Sequence, residues 1–406
     1  MKVTITPRKL SGTIQVPPSK SQAHRLIIGA ALANGTSHIH NLAHSQDICA
    51  TLECMTQLGA IESQGGVVVT GIGRSRPSTG ILPVLDCGES GSTIRFLMPV
   101  ALAVASGGVF RGRGRLMERP YKPYEDIFTR QNITFTRQPG QITLSGTLKP
   151  GRFELPGDVS SQFITGLLYA LPLLEGDSEL VLTTPLESKG YVELTLEALA
   201  QFGIVANPTE TGWKVPGSQV GHPADVTVEG DYSQASNYLV AASMGNPLTV
   251  TGLSTSSAQG DRIICDYARQ LDGTGTVILS VRQCPDLVPA LAVRAALRAG
   301  ETTHIVDAAR LRLKESDRLE AVTAELNKLG AQVEQTPDAL IIHGVSRLHG
   351  GTCDSHGDHR IAMMLAVAAT CADGVVEVTG AESVAKSYPN FWEDYEQLGG
   401  TIARTE

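Results

Sequence analysis

Residues 155–173 read LPGDVSSQFITGLLYALPL. A short apolar opening gives way to a turn of Gly, Asp and Ser, and then to a run that is apolar on nearly every side. Ser and Asp at such a junction cap helices, because their side-chain oxygens accept from backbone N–H groups that the first turn leaves unpaired. A helix with no polar face is buried. The stretch predicts a strand, a polar turn and a core helix.

The same plan recurs five times, at VPPSKSQAHRLIIGAALA (16–33), LDCGESGSTIRFLMPVALA (85–103), VEGDYSQASNYLVAASM (228–244), QCPDLVPALAVRAALRA (283–299) and SHGDHRIAMMLAVAATC (355–371). Further along, second helices close on glycine in MTQLGA (Gly59), LAQFGI (Gly203), LNKLGA (Gly330) and YEQLGG (Gly399). Glycine takes the left-handed C-cap conformation without steric cost. The spacing of roughly 60–75 residues exceeds that of common solenoids, so each unit is a small α/β subdomain. Six units divide as three and three. The expected fold is α/β: two similar inside-out domains, each of three repeated βαβαββ-like units, with buried helices and outer sheets. One domain spans 18–227. The other combines 1–17 with 228–406, the polar run PGSQVGHPAD (216–225) marking the crossing. The opening strand region, 3–16, could pair with either half.

Composition agrees. A chain of 406 residues is too long for one ordinary core, and 42% hydrophobic with 18% charged residues describes a globular protein. No run approaches the ~18 apolar residues of a membrane helix, and the N-terminus has no signal-peptide core. A cytoplasmic location follows as the expectation. The seven cysteines are scattered and odd in number, which suits a reducing compartment. Cys49 and Cys54 lack a matching second pair for zinc, and His38, His40 and His44 read as a polar strand and turn. A net charge of -8 argues against a nucleic-acid partner, whose binders carry a broad basic face. There is neither a phosphate-loop G-x-x-x-x-G-K-[ST] nor a dinucleotide fingerprint.

The cations sit in local clusters at the polar turns. Each turn exposes unpaired N–H groups and the positive end of a helix dipole, which favour anions. Any single turn is explained equally well by capping alone. Added side chains shift the balance. Lys20 and Arg25 lie in PPSKSQAHR; Ser90, Ser92 and Arg95 in GESGSTIR; Arg115 and Arg119 in GRLMERP; Ser160, Ser161 and Gln162 in DVSSQF. In LKESDR, Lys314, Glu315 and Arg318 fall on the expected first turns of a helix; HGDHR adds Arg360, and AKSYPNF adds Lys386. A Lys or Arg at a helix start is opposed by the dipole, so a bound anion is a natural reason for it. His356, Asp358 and His359 could read as a metal set, but the adjacent Arg counts against it. Asp286, following Cys-Pro, reads on local sequence as a cap.

Taken in order, PPSKSQAHR, SGSTIR, RLMERPY, DVSSQF, ESKGY, EGDYSQAS, LKESDRLEA, GDHRIAM and AKSYPNFW resemble the EPSP synthase (3-phosphoshikimate 1-carboxyvinyltransferase) family over essentially the whole chain. The resemblance implies the enolpyruvyl transferase fold and a reaction without metal or organic cofactor. Phosphoenolpyruvate and shikimate 3-phosphate would give 5-enolpyruvylshikimate 3-phosphate and phosphate, by addition and elimination. It implies Glu315 as proton donor to the methylene, Asp286 as base at the 5-hydroxyl, and Lys20 bridging both substrates. Phosphoenolpyruvate would meet Lys20, Gly91, Ser92, Arg119, Gln162, Arg318, Arg360 and Lys386. Shikimate 3-phosphate would meet Ser21, Arg25, Ser160, Ser161, Gln162, Ser188, Asp286 and Lys314. The expected partners are these two small molecules, with no nucleic acid and no membrane, and the expected state is a monomer.

Three positions depart from the family pattern: Glu89 stands where an Asn is usual, Phe96 where a Pro is usual, and Arg310 where Asn is frequent. A sister transferase acting on a UDP-amino sugar uses a loop Cys as acid, and the corresponding segment, 112–121, has none. A non-catalytic anion or RNA binder would keep the cations but give Glu315 and Asp286 no task.

Overall fold

Two helices form in each repeat. A computed structural model describes residues 1–64, 67–73 and 80–405. In chain order its helices are α1 (Lys20–Leu32), α2 (Gln46–Gln57), α3 (Gly91–Ala105), α4 (Lys122–Arg130), α5 (Ser161–Ala170), α6 (Lys189–Gln201), α7 (Tyr232–Ser243), α8 (Ile264–Gln270), α9 (Val288–Ala296), α10 (Arg318–Lys328), α11 (His359–Ala369) and α12 (Phe391–Gln397). The odd-numbered helices are the apolar runs, and they are sunk in the core. Every residue of α11 is buried, as are all but one in α5 and in α9. The even-numbered helices keep one wet face. At their ends, Gly59, Gly203, Gly330 and Gly399 adopt φ between +73° and +107°, the left-handed cap for which a side chain would be strained.

The strands follow one plan. In the third repeat, Arg152–Leu155 runs parallel to Ser178–Leu182 with α5 as the crossover. The hairpin Asn207–Pro208 and Gly212–Val215 then completes the sheet antiparallel. The second and fifth repeats do the same around α3 and α9. One face of each sheet covers helices and the other meets water, so burial alternates along the strands, as at Thr36–His40 and Arg152–Leu155.

The chain divides into two units, Lys20–Glu229 and Met1–Ser19 with Gly230–Glu406, each with its own apolar core. Strand exchange marks the two crossings. Gly12–Gln15, which precedes α1 in sequence, pairs with Leu248–Thr251 of the second unit. Asp225–Thr227, which precedes α7, pairs with Thr36–His40 of the first. The N-terminal strand Lys2–Thr6 lies between Val376–Thr379 and Thr401–Thr405, filling the sixth repeat's sheet. Both parts of the opening segment therefore belong with residues 230–406.

Helix packing also sets the site-facing turns. Pro99 lies inside α3 and has no N–H, so the carbonyl of Arg95 one turn earlier loses its helical donor. The buried Tyr124 hydroxyl supplies one instead, donating to Arg95 O (2.8 Å) and toward Phe163 O on α5 (2.9 Å). Gly166 leaves the space: a side-chain carbon there would collide with the Tyr124 hydroxyl and the Pro99 ring. Tyr124→Phe should leave a buried carbonyl unpaired and cost about 1–3 kcal/mol, read from the urea-denaturation midpoint.

Candidate active site

In the unit Lys20–Glu229, three buried helices begin at the predicted polar turns, and side chains tie those beginnings together. Lys20 is the first residue of α1, and its Nζ lies 2.7 Å from Asp47 Oδ2 in the first turn of α2. The hydroxyl of Thr93, on α3, donates to Ser90 Oγ (2.7 Å) and lies 2.7 Å from that of Thr51 on α2. Ser90 and Ser160 cap α3 and α5, accepting from Thr93 N–H and Gln162 N–H. Gln162 bridges the two helices: its amide donates to Ser92 Oγ (3.0 Å) and its carbonyl accepts from Arg95 (2.6 Å). The Arg95 guanidinium lies over the rings of Phe163 and Tyr121. Arg119 ends the 3-10 turn Leu116–Glu118 and is 7% exposed. A side-chain carbon on Gly91 would sit 2.6 Å from its Nη1, so the backbone of the 88–92 loop presses against this cation.

Arg25, Ser161 and Ser188 complete the set. Arg25 is buried and donates to Thr195 Oγ1 (2.8 Å), Thr165 Oγ1 (3.3 Å), Tyr191 O (2.8 Å) and the carbonyl of Ser21. It thus joins α1 to α5 and α6. Burial lowers its pKa to about 10, partly offset by Tyr169 and Tyr191, so it remains a cation at neutral pH. Ser188 starts α6 in a left-handed conformation (φ 55°) and does not cap it. Glu89 turns its carboxylate over Gly114, where a side-chain carbon would stand 2.6 Å from Oε2.

The second unit holds a tighter cluster. Arg318, the first residue of α10, is 1% exposed and bonds three carboxylates. Its Nη1 donates to Asp286 Oδ1 (2.7 Å), Nη2 to Glu315 Oε2 (2.6 Å), and Nε to Asp358 Oδ2 (2.8 Å). Arg360 Nη2 donates to Asp286 Oδ2 (3.0 Å), and Lys314 Nζ lies 3.4 Å from Asp286 Oδ1. Lys386 donates to Gly357 O (2.6 Å). The entries to α9, α10 and α11 are thus drawn to one point by charge.

A family model described as EPSP synthase (3-phosphoshikimate 1-carboxyvinyltransferase) matches residues 5–395. The chain belongs to this family. Curated relatives named 3-phosphoshikimate 1-carboxyvinyltransferase include one from Clostridium kluyveri, 45% identical over 98% of both chains. Another, from Clostridioides difficile, is 43% identical over 98% of this chain and 97% of its own. The solved EPSP synthase from Acinetobacter baumannii is 25% identical, with a TM-score of 0.80 and full coverage of both chains. An enolpyruvyl transferase from Streptomyces tendae, 18% identical with a TM-score of 0.76, shares the fold.

Within this EPSP synthase scaffold, two local expectations change. Helix α10 begins at Arg318, not at Lys314, because Asp317 caps it by accepting from Glu320 N–H. Lys314 and Glu315 precede the helix, where Lys314 faces Asp286 and Glu315 accepts from Arg318. Asp286 lies within the 3-10 turn Pro285–Leu287, not at its N-cap, and its carboxylate meets the cations. Two partners carry no local signal in the sequence. Asp47 and Asp358 open helices like ordinary capping residues, and Asp358 does cap Arg360 N–H, while its carboxylate also binds Arg318.

Burial alone would raise the Asp286 pKa, but Arg360, Lys314 and Arg318 together hold it well below the usual carboxylate range. Asp358 is lowered likewise, Arg318 outweighing burial. Burial lowers the pKa of Lys314, with Asp286 opposing. Carboxylates depressed in the fold stabilise it above their unfolded pKa, and that stability is lost as pH falls through the folded value. Asp358→Asn keeps the cap but removes the charge paired with buried Arg318. It should cost about 3–5 kcal/mol at pH 7. The difference from wild type should shrink below about pH 4, in denaturation curves recorded across pH.

Proposed function

We propose that the chain transfers the enolpyruvyl group of phosphoenolpyruvate to the 5-hydroxyl of shikimate 3-phosphate and releases phosphate. The observation that carries this reading is the pair of acids, Asp286 and Glu315, bonded to one buried guanidinium, Arg318. In a binding protein for anions, carboxylates among the cations could only hold those cations in place and would compete with the ligand for them. An addition–elimination needs both a proton donor and an acceptor there.

The hydroxyl oxygen attacks C2 and its proton passes to Asp286, while C3 takes a proton from Glu315, which takes up that proton from solvent once phosphoenolpyruvate has drawn Arg318 away from it. The tetrahedral intermediate then expels phosphate, and C3 returns a proton to the Glu315 carboxylate as the double bond re-forms. A strongly depressed Asp286 is a weak base. In the proposed complex, phosphoenolpyruvate draws Arg318 and Arg360 onto its own anionic groups, which relieves Asp286 of their field and raises its basicity. Gly91, Ser92, Arg119, Gln162 and Lys386 complete the phosphoenolpyruvate set. The planar guanidinium forks suit its carboxylate and phosphate. Lys20 spans both substrates. Ser21, Arg25, Ser160, Ser161, Gln162, Ser188 and Lys314 take the sugar-like acceptor and its phosphate. Side-chain cations supply the charge stabilisation, so the proposed reaction calls on no cofactor.

We place the activity in the cytoplasm and in a monomer. No described helix is long and apolar enough to cross a membrane, and the seven cysteines are free thiols. Among the large exposed apolar side chains of the described residues, Ile81 and Val84 share one stretch, and Ile61, Val205, Ile278, Leu313 and Val375 come from separate ones.

Phosphate release from phosphoenolpyruvate should require shikimate 3-phosphate, and Glu315→Gln should slow it by about 10²–10⁴-fold. Release with a UDP-amino sugar in place of shikimate 3-phosphate would overturn the assignment.

A further inference from the structure

The turn Asp354–Asp358 joins the strand Gly351–Asp354 to α11 and delivers two groups to the cation cluster. Gly357 O accepts from Lys386 Nζ (2.6 Å), and the Asp358 carboxylate accepts from Arg318 Nε (2.8 Å). To do so, the chain passes through two successive left-handed residues, His356 (φ 53°) and Gly357 (φ 62°). A histidine in that conformation is opposed by its own Cβ, so its surroundings must hold it.

Glu325 does the holding. It is 1% exposed, on the second half of α10. Its Oε1 accepts from His356 Nε2 (2.7 Å) and its Oε2 from Asp354 N–H (2.9 Å), while Lys328 Nζ reaches both oxygens at 2.9 Å. Burial would raise its pKa, yet the Asp354 amide, Lys328 and His356 lower it, so it is a carboxylate and Nε2 is the donor. Glu325 follows Arg318 by seven residues, close to two turns, and the two share one face of α10. The helix therefore grips the turn at both ends, by a carboxylate at its start and a guanidinium at its finish.

We propose that Glu325, acting through His356, is a positioning residue for the phosphoenolpyruvate half-site. It fixes the left-handed turn that presents Gly357 O to Lys386 and the Asp358 carboxylate to Arg318. This rests on the functional reading above and adds to it a residue that touches no substrate.

His356→Gly separates this role from a merely structural one. Glycine takes the left-handed conformation without the Cβ cost, which offsets part of the lost bond, so the variant should stay folded at assay temperature while the tether is cut. KM for phosphoenolpyruvate should rise roughly tenfold, with kcat within about threefold and KM for shikimate 3-phosphate unchanged. Glu325→Gln should raise the same KM, and should add nothing further in the His356→Gly background. A wild-type KM for phosphoenolpyruvate in folded His356→Gly overturns the proposal. So does a Glu325→Gln effect that is equal in both backgrounds. Wild-type enzyme that releases no phosphate from the two substrates overturns the functional reading and this inference with it. Turnover by wild type with an unaltered His356→Gly overturns this inference alone.

Discussion

A helix that is apolar on every side leaves only its ends for chemistry. Six helices that are apolar over most of their surface are wrapped by sheets and by their amphipathic partners, and polar side chains within them, such as His24, Arg25 and Thr165, are bonded to those partners. Each N-terminus must still satisfy its unpaired N–H groups, so each opens in a polar turn. Burial of the helices thus dictates where polar residues can gather, and repetition of the unit gathers them several times over.

Charge then does what capping alone does not require. Cations at helix starts work against the dipole, and here they are held by carboxylates: Lys20 by Asp47, Arg360 by Asp286, and Arg318 by Asp286, Glu315 and Asp358. A buried guanidinium ringed by three carboxylates is costly to desolvate and rigid once formed. In the proposed reaction that rigidity is the benefit. The donors stand in place before any ligand arrives, and an anionic ligand competes for them with carboxylates that gain proton affinity as they are released. The Glu325–His356 tether extends the same logic one layer outward, since a cluster is only as well placed as the turns that carry it.

The departures from the family pattern fit this frame unevenly. Glu89 lies over Gly114, where a glycine provides the room. Phe96 is packed in the core beside His24 and under the Arg25 guanidinium, at 5.1 Å from its ring centre. Arg310 donates to Arg282 O.

The sequence by itself determined the layered α/β fold, the sixfold repeat and the burial of the first helices. Those depend on hydrophobic period and on glycine and capping residues, which act over a turn or two of chain. It also marked the cationic turns, and whole-chain resemblance supplied a chemistry for them. Tertiary structure alone decided the pairings: that Asp286 serves cations 32 and 74 residues away, that Asp358 caps one helix while neutralising another, and that Asp47 answers Lys20. It alone placed the start of α10 after Glu315, and it alone revealed His356 left-handed against a buried Glu325. Local patterns record what each segment needs from its neighbours along the chain. Which distant charge meets which is settled by packing, because a carboxylate at a helix start has the same sequence signature whether it caps, pairs or catalyses.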